Sequence, residues 1–146
     1  MSVRFRDMLA GDAVLLEIQP RQHREMGIDE PNLGIERGRD LAENGLAWTA
    51  HDETRILCCA GFRELYPGHA IAWAAFAPDL GRAGILISRF AARRVREAPY
   101  RRLEAIVEAD NAIAVAWSTR IGLQPVHTLR NYGAEGTTHI LFERIQ

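Results

Sequence analysis

What most constrains this chain is a change of period just after Phe76. Upstream lie three runs of strand character: Leu46-Ala47-Trp48-Thr49-Ala50, then Arg55 to Arg63, then His69 to Phe76. Asp52-Glu53-Thr54 and Tyr66-Pro67-Gly68 separate them as hairpin-like turns. Downstream of Pro78-Asp79-Leu80-Gly81 apolar residues recur at a spacing of four, as Leu86 and Phe90 and as Ile87, Ala91 and Val95, with Arg89, Arg93 and Arg96 off that face. Pro99 ends this helix. An antiparallel meander therefore feeds an amphipathic helix, and the meander must bury its apolar side under helices from elsewhere in the chain.

The flanking segments supply them. Val3 to Arg6 alternates like a short first strand, and Ala10-Gly11-Asp12 offers a cap for a helical stretch from Ala13 to Ile18. The polar segment from Gln19 to Gly45 has helical patterning in Gln22 to Met26 and in Ile35 to Glu43. Leu103 to Ala109 reads as a strand, Asp110 as an N-cap, and Asn111 to Ile121 as a helix with Ile113, Ala114, Trp117 and Ile121 on one face and Gly122 as its stop. Val126 to Arg130 and Thr137 to Ile145 are the last two strands. The order predicts an α+β, mixed α/β sandwich whose mostly antiparallel sheet has about seven strands and about four helices. With 146 residues and no linker or repeat, the whole chain, 1–146, is expected to be a single domain.

Composition excludes several functions. A net charge of -1 offers no field to hold a nucleic acid. No apolar run is long enough to span a membrane, and the charged start Arg4-Phe5-Arg6-Asp7 does not suit a signal peptide, so a soluble cytoplasmic protein is expected. Cys58 and Cys59 are adjacent on a strand and point to opposite faces, which reads as small core residues rather than a disulfide or metal site. The five histidines show no ligand spacing, so no metal is expected. All 18 basic residues are arginine, as a GC-rich coding sequence produces.

Asn111, Ala114, Trp117 and Gly122-Leu123 hold the spacing of N-x-x-A-x-x-L-Y-x-x-x-G-F, and with the element order they resemble the GNAT superfamily of acetyltransferases. The resemblance implies an acyl-CoA N-acyltransferase fold with acetyl-CoA as cofactor. It places Ala74, Ala75, Phe76 and Ala77 along the pantetheine arm, Gly81, Arg82, Ala83 and Gly84 in a phosphate loop, and Asn111 beside the cofactor. That loop, Asp79-Leu80-Gly81-Arg82-Ala83-Gly84, keeps only the last glycine of the family's Q/R-x-x-G-x-G/A. Ser118 stands where the family often has a tyrosine that protonates the departing thiolate, and a serine hydroxyl is a far weaker acid.

For the base that takes the proton of an amine, Glu64 and Glu108 are nominated, because partial burial raises a carboxylate toward neutrality; His69 and His51 are alternates. The segment Glu25-Met26-Gly27-Ile28-Asp29-Glu30-Pro31 and the Arg-rich helix also resemble a GNAT-like internal virion protein family of short-tailed phages. Two functions remain open. One is an N-acetyltransferase acting on a small-molecule or peptide amine; the other is a catalytically inactive GNAT-fold protein with a phage or virion protein partner.

Overall fold

The computed structural model describes residues 2–146. Its strands are β1 (Arg4–Asp7), β2 (Gly45–His51), β3 (Ile56–Tyr66), β4 (His69–Phe76), β5 (Arg102–Glu108), β6 (Gln124–Leu129) and β7 (His139–Ile145). They form a seven-stranded sheet in the order β1-β2-β3-β4-β5-β7-β6. The β1–β2, β2–β3, β5–β7 and β6–β7 ladders are antiparallel and β4–β5 is parallel. Five α-helices accompany the sheet: α1 (Asp12–Leu15), α2 (His23–Met26), α3 (Ile35–Glu43), α4 (Ala83–Glu97) and α5 (Ala112–Arg120), with a 3₁₀ turn at Pro20–Gln22. This is the mixed α+β architecture that the order of elements predicts.

The chain divides into two compact units. The first runs up to Glu64 and includes Ala72–Ile87; the second comprises Leu65–Ile71 and Ser88–Gln146.

In the first unit, Met8, Ala13, Leu16, Ile18, Leu33 and Leu41 bury themselves against Cys59 of β3, Ala75 of β4 and Ala77 just after it. Cys59 lies in this interior and Cys58 is buried as well; both are free thiols, as expected, and burial raises both above the ordinary thiol range. Gly38 lets α3 approach α1, because a Cβ there would overlap the Ala10 carbonyl. The carboxylate of Asp12 organises the chain start. It accepts two bonds from Arg6 (2.7 and 2.8 Å), one from Leu9 N (2.9 Å) and one from the Thr49 hydroxyl (2.8 Å). The helix predicted to reach Ile18 is a single turn ending at Leu15, and Asp12 lies within it rather than capping it; the cap position is Gly11.

In the second unit, Ala91, Val95, Leu103, Ile121, Leu123 and Phe142 are buried. Arg144 ties β7 to the end of α4 by donating to the carbonyls of Val95 (2.9 Å) and Ala98 (3.1 Å), at a terminus whose last carbonyls lack intrahelical partners, and to Tyr100 O (2.6 Å) in the segment that follows. Two helix faces differ from expectation. Along α4 the buried stripe is Ala83, Ile87, Ala91 and Val95, whereas Leu86 is exposed and Phe90 packs beside the Arg93 and Arg94 guanidinium groups. Leu86 and Phe90 sit one residue, or about 100°, off the buried stripe. On α5, Ile113 is 70% exposed and does not share a face with the buried Ile121. The N-cap of α5 is Asn111, whose Oδ1 accepts from Ala114 N (3.2 Å), and not Asp110. Gly122 stops the helix at φ 107°, which a side chain would resist.

Candidate functional site

Two hydrogen bonds fix which way the peptide groups of β4 point. Arg102 N donates to Gly68 O (3.0 Å) at the start of the ladder to β5, and Ala77 N donates to Leu57 O of β3 (2.9 Å). Peptide groups alternate between the two edges of a strand, so the even-numbered residues of β4 face away from β3. The register with β5 covers His69↔Arg102, Ala70↔Leu103 and Ile71↔Glu104 and ends there, although β4 continues to Phe76. The later part of β4 therefore carries peptide groups on one edge that strand pairing does not use.

Within the first unit those groups meet the turn that follows Ile18. Gln22 Nε2 donates to Ala74 O (2.9 Å), Phe76 N donates to Gln22 Oε1 (2.8 Å), and Gln19 N donates to Phe76 O (2.9 Å). Gln19 Nε2 adds a bond to Gln22 Oε1 (3.2 Å). One side-chain amide thus supplies a donor and an acceptor to residues i and i+2 of the same edge, as an adjacent strand would. Ala74 to Ala77 are legible from the sequence, but Gln19 and Gln22 are not, because their partners on β4 lie more than fifty residues away and leave no trace in local spacing. The edge is suited to an amide-bearing chain such as a pantetheine arm: the neighbouring side chains at Ala72, Ala74, Ala75 and Ala77 are small, and a carboxamide from the chain itself holds the edge as a stand-in.

Also in the first unit, Asp79 (φ 56°) and Gly81 (φ 55°) are in the left-handed region, which gives the loop before α4 its sharp course. Arg55 braces it by donating to Pro78 O (2.8 Å) and Asp79 O (3.0 Å). Ala83 N, Gly84 N and Ile85 N turn back to Leu80 O, Gly81 O and Arg82 O at 3.1, 3.2 and 3.1 Å, the long end of the N–H···O range. A Cβ at Gly81 would meet nothing, and one at Gly84 only Leu80 Cβ at 4.0 Å, so neither glycine is crowded on its Cβ side. Arg82 is exposed beside it. The residues fit a phosphate that draws on Arg82 and on the weakly held N–H groups, rather than on a ready-made row of free ones.

The second unit holds the remaining candidates. Glu108, at the end of β5, is 4% exposed. Asn111 spends its side-chain oxygen on the α5 cap. Ser118 is 4% exposed and donates its hydroxyl to Ala114 O (2.9 Å), so its proton is committed to its own helix. Trp117 of the same helix donates to the Ser88 hydroxyl (2.8 Å).

The other nominated bases are differently placed. Glu64 is exposed on β3, which runs on to Tyr66, so it lacks the burial on which its nomination rested. His69 pairs with Glu104 (2.7 Å), which also binds Arg102 (2.7 Å), and Arg102 continues to Glu143 (2.8 Å). Burial pushes the Glu104 carboxyl up, but Arg102 and His69 together hold it below the ordinary range. His69 is therefore part of a hydrogen-bonded network with Glu104, Arg102 and Glu143 at the paired end of the β4–β5 ladder. His51 lies beside its neighbour's Asp52 O (3.4 Å). Among the described residues no cluster of His, Cys, Asp and Glu could hold a metal ion, and no helix is long and apolar enough to cross a membrane.

This geometry is that of the GNAT acetyltransferase fold. A ribosomal-protein-alanine N-acetyltransferase from Brucella melitensis superposes with a TM-score of 0.75 at 18% identity, covering 100% of each chain. Ard1 from Thermoplasma volcanium matches with a TM-score of 0.72 at 16% identity over 99% of this chain and 98% of that one. An N-acetyltransferase from Staphylococcus aureus matches at 0.71 and 10% identity over 99% and 98%. No family model and no curated protein matches the sequence. The likeness to the phage internal virion family gains no support from these structures.

Proposed function

We propose that the protein is an N-acyltransferase of the GNAT type, cytoplasmic and folded as a single domain, that transfers an acyl group from acetyl-CoA to a small-molecule or peptide amine. The observation that carries this reading is the β4 edge from Ala72 to Phe76, where strand pairing has ended and an amide is already bound. Acetyl-CoA supplies an acyl group activated as a thioester. Ala74 and Phe76 would hold its arm through their backbone O and N–H groups, with the small side chains of Ala75 and Ala77 beside it, and Gly81, Arg82, Ala83 and Gly84 would receive the phosphates at the start of α4. Asn111 fixes the start of α5, and Glu108 is the better of the two nominated carboxylates for removing a proton from the amine, since it is the buried one. With its hydroxyl spent on Ala114 O, Ser118 does not act as proton donor, and protonation of the departing thiol falls to solvent.

The same commitment of Ser118, together with the occupation of the β4 edge by Gln22, favours a second reading: a GNAT-fold interaction protein without activity. Calorimetric titration with acetyl-CoA separates the two. Micromolar binding that Gly84→Asp weakens supports the enzyme, because the space at Gly84 admits the new side chain and leaves repulsion between carboxylate and phosphate as the cause. Absence of heat at millimolar ligand supports the interaction protein.

A further inference from the structure

We infer that Gln22 determines which thioesters the β4 edge accepts: its carboxamide occupies the edge and yields only to a ligand chain that brings an amide of its own. This rests on the acyl-CoA reading above and adds to it a specificity residue on the turn after Ile18.

Both ends of the Gln22 carboxamide are engaged on the β4 edge. Nε2 donates to Ala74 O and Oε1 accepts from Phe76 N, so both outward peptide groups of this stretch are satisfied by one planar amide. Gln22 is only 7% exposed, and its Oε1 receives a further bond from Gln19 Nε2. A ligand amide that displaced it would replace the two bonds in kind, and the Gln22 side chain would regain its bonds from water. Such an exchange is close to neutral. A thioester without an amide would leave Ala74 O and Phe76 N unpaired where it excluded water, and leaving buried groups unpaired is the expensive case.

Displacement requires only side-chain rotation. The backbone of the turn is held independently, by Gln19 N to Phe76 O (2.9 Å) and Gln22 N to Gln19 O (3.0 Å). The side chain can therefore leave the edge while the turn stays docked against the end of β4. The chain thus carries its own competitor for the cofactor arm, and that competitor filters ligands by their chemistry rather than by their size.

The test combines side-chain NMR on the wild-type protein with calorimetry on variants. Pantetheine and acetyl-CoA are expected to move the Gln22 side-chain NH₂ pair to the position of a solvated amide, while S-ethyl thioacetate at the same concentration leaves it in place. Gln22→Ala, which removes the competitor, is expected to bind acetyl-CoA about tenfold more tightly, the equivalent of two modest hydrogen bonds released from competition. Gln22→Glu keeps the acceptor for Phe76 N but loses the donor to Ala74 O, and is expected to hold the edge less well than the native residue. The NMR reading needs no variant, so a misfolded substitution does not spoil it. If wild-type protein binds acetyl-CoA while the Gln22 NH₂ pair stays where it is, or if Gln22→Ala gains nothing, the inference is overturned and the acyl-CoA reading stands. If neither protein binds acetyl-CoA, both fall together.

Discussion

Asp12 shows how one side chain fixes a chain start. Burial pushes its carboxyl up, but the Arg6 guanidinium, the Leu9 N–H and the Thr49 hydroxyl outweigh that and hold it below the ordinary aspartate range. The folded state therefore releases this proton more readily than the unfolded chain does. The stabilisation is present above the unfolded value of roughly 3.9 and is lost as pH falls through the folded value. Asp12→Asn should cost about 2 kcal/mol at neutral pH, since an amide cannot accept both Arg6 bonds and leaves a charge poorly paired. Urea denaturation of both proteins measures it, and the gap between them should close on going to acid pH. Little of this was legible beforehand. Asp12 was expected as a cap, a role its residue type favours, and only the fold brings Thr49 and Arg6 to it. Asn111 and Asp110 show the same limit at a smaller distance, because adjacent residues of equal capping aptitude are separated only by where the strand before them ends.

At the scale of elements, the clearest dependence is that of α4 on β7 through Arg144. Its guanidinium serves two carbonyls at the end of the helix and a third just beyond it, and burial lowers its proton affinity without threatening its charge. Arg144→Met keeps the apolar stem and removes the donors; it should destabilise the protein by about 2–3 kcal/mol, read as a lower denaturation midpoint at unchanged slope. Elements of this kind were the most readable part of the sequence. The bounds of β4 and α3 coincide with their expected residues because each has turn chemistry at both ends: Pro67-Gly68 and Pro78 around β4, and Gly34 and Gly45 around α3. Faces were harder. The Leu86 and Phe90 pair obeys helical spacing as well as Ile87 and Ala91 do, and spacing does not say which of two neighbouring stripes the sheet will cover.

For the molecule as a whole, the strand order and the early end of the β4–β5 ladder are the features on which the acyl-transfer proposal rests. The order of elements in the sequence anticipated the fold, because parallel β4–β5 pairing needs the crossover that α4 provides. The candidate site was legible only in part. Ala74 to Ala77 and the loop to Gly84 could be named from a resemblance, but the occupant of the β4 edge could not, since it joins a side chain of the Gln19–Gln22 turn to backbone far along the chain. Glu64 was misjudged because β3 continues past it to Tyr66, carrying it onto an exposed stretch of strand.

The claim on which the rest depends is that the backbone edge of β4 receives an acyl-CoA arm. Backbone amide NMR during titration with acetyl-CoA tests it directly: saturable shifts concentrated at Ala72, Ala74 and Phe76, with a second group at Gly81 to Gly84, are the predicted result. Binding that leaves β4 unmoved while shifting residues elsewhere, or no shift at millimolar ligand, would contradict it.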